Sequence, residues 1–144
     1  MLHDFTGVTS EFNLTLNCSE NQCSADIAIP LESFDSGNPS RDSNMLYYTE
    51  AWDYPDVRLI SSPFRLPESN TDMKIHGKLE FHGFKNDVEL DIYFEKINDQ
   101  WAVSGGFKVP LSAYEVERPS LLMIKIEDDV DIKFNLKGIL KEKI

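Results

Sequence analysis

The chain has 144 residues, 41% of them hydrophobic and 27% charged, which suits one domain with a self-sufficient core. Fourteen Lys and Arg face 25 Asp and Glu, a net charge of −11; that balance opposes phosphate backbones and argues against a nucleic-acid partner. No apolar run approaches the roughly 20 residues that a membrane-crossing helix needs, so stable membrane insertion is not expected.

Met1-Leu2-His3-Asp4-Phe5 already lies in an alternating pattern, with neither a charged n-region nor an apolar h-region. The chain is then either cytoplasmic or begins after a removed export segment. Phe12, Leu14 and Leu16 alternate before Cys18, and Ala25, Ile27 and Ile29 alternate after Cys23. The two cysteines stand at the ends of a four-residue hairpin loop, close enough for a disulfide. A bonded pair implies an oxidising compartment, periplasmic or secreted, and favours the exported reading; the alternative is two free thiols.

Asn38-Pro39-Ser40-Arg41-Asp42 reads as a helix start: Asn38 as N-cap, Pro39 at the first helical position, Asp42 in the first turn. Met45, Tyr48, Thr49 and Trp52 follow at helical spacing and are expected to face a sheet. Tyr54-Pro55 ends the segment, so one helix is expected near residues 39–53.

Period-two alternation governs the rest. Val57–Ile60 is a short strand, resumed at Phe64–Leu66 after Pro63. Met73 to Phe81, Val88 to Phe94, Trp101 to Val109, and Val130 to Leu136 each alternate apolar with polar residues, and Leu122, Ile124 and Ile126 add a further run. Turn residues fall at Gly83–Asp87, Asn98-Asp99 and Asp128-Asp129. Such short gaps make neighbours antiparallel. The expected fold is all-β: an up-and-down, lipocalin-like antiparallel barrel of about eight strands with one inserted helix.

Catalytic patterns are weak. His76 and His82, six residues apart on one strand face, would be about 20 Å apart and are read as surface residues; they cannot share a metal. No Gly-x-Ser-x-Gly stretch occurs, and Ser104-Gly105-Gly106 lies mid-strand, where glycines mark close packing. Carboxylates such as Asp128, Asp129, Asp131, Glu115 and Glu117 are read as solvated turns. No catalytic residue, metal or cofactor is assigned, and the protein is not read as an enzyme.

The aromatic residues carry more. Facing inward, Phe12, Leu14, Phe81, Ile92, Phe94, Trp101, Phe107 and Phe134, with Trp52 on the helix, would line a channel for one hydrocarbon chain; the other reading is that the same rings fill the barrel. Arg41 would contact an anionic headgroup at the barrel mouth, or else pair with a nearby carboxylate.

Three stretches resemble the YceI-like family of lipid- and polyisoprenoid-binding barrels. They are His3-Asp4-Phe5-Thr6-Gly7, the run from Ile29 through Gly37-Asn38-Pro39-Ser40-Arg41-Asp42 to Trp52-Asp53-Tyr54-Pro55-Asp56-Val57-Arg58-Leu59, and Gly77-Lys78-Leu79-Glu80-Phe81-His82-Gly83-Phe84-Lys85-Asn86-Asp87-Val88. Asn86-Asp87 stands where the family usually has proline, and the family's first strand is short or absent. The resemblance implies one domain over residues 1–144, lacking an upstream export signal and part of the first strand. It also implies binding, sequestration or transport of a long apolar amphiphile. The rival reading is a non-catalytic interaction module of the cell envelope with a filled barrel. Oligomeric state stays open, a homodimer being one alternative.

Overall fold

The computed structural model describes residues 6–118, 120–121, 124–125 and 127–139. The elements are β1 (Asn13–Ser19), β2 (Gln22–Pro30), α1 (Pro39–Tyr48), β3 (Asp56–Ser61), β4 (Phe64–Arg65), β5 (Thr71–Phe81), β6 (Phe84–Ile97), β7 (Gln100–Pro110), β8 (Ser120–Leu121), β9 (Ile124–Lys125) and β10 (Asp129–Gly138). Two 3-10 turns, Leu31–Ser33 and Leu111–Tyr114, follow the prolines that end β2 and β7. Leu122 and Ile126, and the motif residues before Thr6, lie outside the described residues.

The main sheet runs β1-β2-β3-β5-β6-β7-β10, entirely antiparallel, and β4 adds to β2. Its form is a half-barrel with β1 and β10 as ends; no pairing joins them among the described residues. The antiparallel meander with one inserted helix is as the alternation predicts. β8 and β9 form a separate two-stranded ladder.

Why the strands break where they do is local chemistry. β3 pairs with Asp26–Pro30 of β2, and β4 with Gln22 and Cys23, so the Pro63 interruption falls between two partners of one strand. At that gap Ala25 N–H donates to the Ser61 hydroxyl at 2.8 Å, and the half-buried backbone donor stays satisfied. The β1–β2 hairpin closes on Glu20 and Asn21, at φ 52° and 71°. Such paired left-handed residues match the strand twist. Its loop is therefore two residues rather than four, and Cys18 and Cys23 are directly opposed and disulfide-bonded. The β5–β6 turn is likewise the pair His82-Gly83, at φ 55° and 78°. Asn86 and Asp87, expected in that turn, lie within β6.

α1 begins as expected: the Asn38 carboxamide oxygen accepts from Arg41 N–H at 3.1 Å, and Asp42 accepts from the Ser36 hydroxyl at 2.6 Å. Its end is a correction. Glu50 turns left-handed at φ 52°, Ala51 N–H reaches Leu46 O at 3.0 Å, and Glu50 N–H reaches Tyr47 O at 3.1 Å. These two bonds are a Schellman stop. The helix ends at Tyr48, so Met45, Leu46 and Ala51 pack on the core while Trp52 is 65% exposed.

Candidate functional site

Alternation puts one side chain in two on the concave face. In register, Leu14, Ile27, Leu59 and Leu79 form one cross-strand row, and Met73, Ile92, Gly105 and Phe134 form another. The polar face carries cross-strand ion pairs, Lys74–Glu89 at 3.2 Å among them. Arg58 hydrogen-bonds Asp26 and holds that carboxyl below its usual value. Charge outside and hydrocarbon inside is the division the sequence pattern predicts.

The concave face holds two apolar clusters. Under α1 and the 3-10 turns lie Leu31, Leu79, Phe81, Val109, Tyr114 and Val116. Farther along the same face, Ile75, Leu90, Ile92 and Phe94 gather Phe64, Met73, Trp101, Val103 and Phe134 around them. Phe107 touches both. Phe94 is the ring at the centre of the second cluster, 6.1 Å from Trp101 edge-on and 6.2 Å from Phe64. Inward glycines let the strands crowd together here. A Cβ on Gly105 would stand 2.3 Å from Asp91 O and 3.0 Å from the Phe134 ring.

The residues singled out from sequence are therefore distributed unequally. Phe81, Ile92 and Phe94 are buried, and Trp101, Phe107 and Phe134 are half-buried among them. Leu14 on β1 and Phe12 just before it remain 44% and 43% exposed, at the open edge of the sheet. Trp52 lies beyond the helix, 6.1 Å from Tyr47, and Arg41 sits in the first turn of α1. Neither belongs to the two clusters. His82 is a correction: it is a buried turn residue, not a strand-surface one, whereas His76 is exposed.

Sequence reasoning missed the covering elements. Tyr114 is 1% exposed, and its ring lies 5.6 Å from Phe81. Asn86 anchors that turn by donating to Ala113 O at 2.7 Å. On the other side, Asp128 accepts from Ser112 N–H at 2.8 Å and from its hydroxyl at 2.7 Å. Those bonds hold the Asp128 carboxyl below its usual value. The stabilisation is therefore present above the unfolded-state value and lost as pH falls through the folded one. Asp128→Asn is expected to lower the thermal midpoint at about pH 7, and its gap to wild type is expected to narrow at about pH 2, because the stabilisation is lost as pH falls. A thermal melt at the two pH values checks this.

Among the described residues, no group of three or more His, Cys, Asp and Glu side chains is placed to hold a metal ion, and both cysteines are engaged in the disulfide. A shallow depression of about 500 Å³ is lined by outward residues of β5, β6 and β7, Asp72, Lys74, Asp91, Tyr93 and Ser104, together with Met73, Ile92 and Gly105 of the inward row.

An antiparallel half-barrel with a helix across one end and an apolar concave face defines the class. The chain belongs to the YceI-like domain family, which matches residues 1–138. Three solved structures share the fold. The Campylobacter jejuni YCEI protein is 16% identical, over 99% of this chain and 88% of that one, with a TM-score of 0.81. Burkholderia cenocepacia BcnA is 22% identical over 92% and 86%, with a TM-score of 0.77. A polyisoprenoid binding domain from Saccharophagus degradans, implicated in plant cell wall breakdown, is 16% identical over 86% and 80%, with a TM-score of 0.65. Among curated protein sequences none matches.

Proposed function

We propose that the protein binds a long apolar amphiphile, an isoprenoid or fatty-acid-like lipid, along the concave face of the half-barrel, and does so without catalysis. The observation that carries this reading is the open edge. Leu14 continues the inward row opposite Ile27, and both it and the neighbouring Phe12 remain more than two-fifths exposed. Trp101 and Phe134 beyond them are only half-buried. An apolar surface left partly wet is one that a hydrocarbon chain can dry. Each CH₂ moved from water contributes ~0.8 kcal/mol, so chain length rather than polar contacts sets the affinity. The polyisoprenoid binding described for the Saccharophagus degradans domain supports the ligand class.

The Cys18–Cys23 disulfide supports a periplasmic or secreted location, since cytosolic thiols are kept reduced. In this reading Phe81, Ile92, Phe94, Trp101, Phe107 and Phe134 form the wall, and Phe12 and Leu14 the rim. Organic extraction of the purified protein followed by mass spectrometry tests the proposal. A lipid recovered near one per chain is expected. A lipid-free extract, together with no binding of a fluorescent polyprenyl probe, overturns it.

A further inference from the structure

Among the described residues one buried side-chain atom lacks a hydrogen-bond partner: Nε2 of His82. Such a group costs free energy and calls for an explanation. His82 is 9% exposed, at the first position of the β5–β6 turn. Its Nδ1 lies 2.8 Å from the carbonyl oxygen of Tyr114. A carbonyl only accepts, so Nδ1 carries the hydrogen. In the neutral ring Nε2 is then a bare lone pair, and 3.5 Å from it stands Glu50 Oε1. Two acceptors face each other across that gap. Protonation turns Nε2 into a donor and the same contact into a charge-assisted hydrogen bond.

We propose that His82 is a proton-operated clasp: its protonation ties Glu50, the residue that ends α1, to the β5–β6 turn, and its deprotonation releases that tie. The clasp joins three elements distant in sequence, because the other ring nitrogen holds Tyr114 in the 3-10 turn after β7. Burial of the ring follows from Gly83. A Cβ there would meet Tyr54 Cε1 at 2.8 Å, so only glycine lets the Tyr54 ring lie against the turn, 5.2 Å from the imidazole.

The other groups around His82 are accounted for. A depression of about 280 Å³ beside it is lined by Asp53, Tyr54 and Asp56 from the helix exit and the start of β3, by Arg58 of β3 and by Glu80 of β5. Arg58 is committed to Asp26. Phe84 of β6 offers only its ring, 6.2 Å away, and Tyr114 presents its carbonyl. Glu80 pairs with Lys85 of β6, and among the described residues Glu50 is the carboxylate in ion-pair reach of His82, so it is the one the clasp engages. The inference does not depend on lipid binding.

Two measurements test it. Nitrogen-15 NMR of the wild-type imidazoles at alkaline pH is expected to show His82 protonated on Nδ1. A hydrogen found on Nε2 instead overturns the clasp. Thermal midpoints of wild type, Glu50→Gln and a charge-matched control, Glu68→Gln, are compared at about pH 5.5 and pH 8, spanning the range where imidazole gains its proton. The carboxamide that Glu50→Gln introduces can donate to the bare Nε2, so this variant keeps the tie in alkali. Wild type is expected to lose about 3 °C relative to Glu50→Gln between acid and alkali, and not relative to the control. Identical pH profiles for the two variants overturn the proposal; should Glu50→Gln not fold, the protonated nitrogen found in wild type decides.

Discussion

Phe94→Ala is expected to destabilise the protein by about 3–5 kcal/mol, the cost of emptying a buried aromatic site. Phe94 is 4% exposed and meets Trp101 edge-on and Phe64 at a tilt. Truncation removes the burial of the ring and both aromatic contacts at once, and β6 lies between β5 and β7, so its backbone has little freedom to collapse into the space. Urea unfolding followed by Trp101 fluorescence reads the change. A loss under about 1 kcal/mol would mean that the ring is not packed at the centre of the cluster. In the ligand-binding reading the same variant also enlarges the hollow, so affinity for a bulky isoprenoid is expected to fall less than stability does.

Gly105→Ala tests the opposite failure, one methyl too many. The added Cβ would sit 2.3 Å from Asp91 O, a backbone atom, and 3.0 Å from the Phe134 ring. A side chain could swing aside; a ladder carbonyl cannot without disturbing β6. Overpacking of this kind costs about 1–3 kcal/mol, and the backbone clash places this variant at the upper end. Gly138→Ala is the control, since nothing lies within 4 Å of a Cβ at that position. Equal midpoints for the two variants in urea would contradict the close approach of β6 and β7. Phe134 lies over Gly105 because the glycine leaves room for a ring, a device that suits a strongly curled sheet.

The strands were legible because period-two alternation is a direct record of a sheet with one dry face. Met73 to Phe81 and Trp101 to Val109 lie in β5 and β7 as read. The start of α1 was legible for a similar reason: Asn38, Pro39 and Asp42 each satisfy an end-specific need. Its stop was not. The Schellman turn places Glu50 in the left-handed region without the glycine that usually announces it, so helical spacing runs on to Trp52 in the sequence while that residue lies outside the packed face. His82 sits in the turn for a comparable reason. Alternation continues numerically from His76 to His82, but the strand ends at Phe81, and a turn residue answers to different neighbours. Tyr114 and Val116 belong to a short covering segment with no periodicity, and only three-dimensional proximity reveals them. The Cys18–Cys23 pairing was visible because alternation on both sides fixed the register; the extra Ser19–Gln22 pair was not, because both residues are polar and look like loop.

The question that decides the account is whether hydrocarbon enters the hollow. Methyl NMR of the protein titrated with a fifteen-carbon isoprenol answers it residue by residue. Saturable shifts at Ile75, Leu90, Ile92, Val103 and Leu136, with the outward methyl of Ala102, opposite Glu95 and Lys137, unmoved, are the predicted result. Saturation that leaves those inward methyls undisturbed, or no saturation at all, would contradict it.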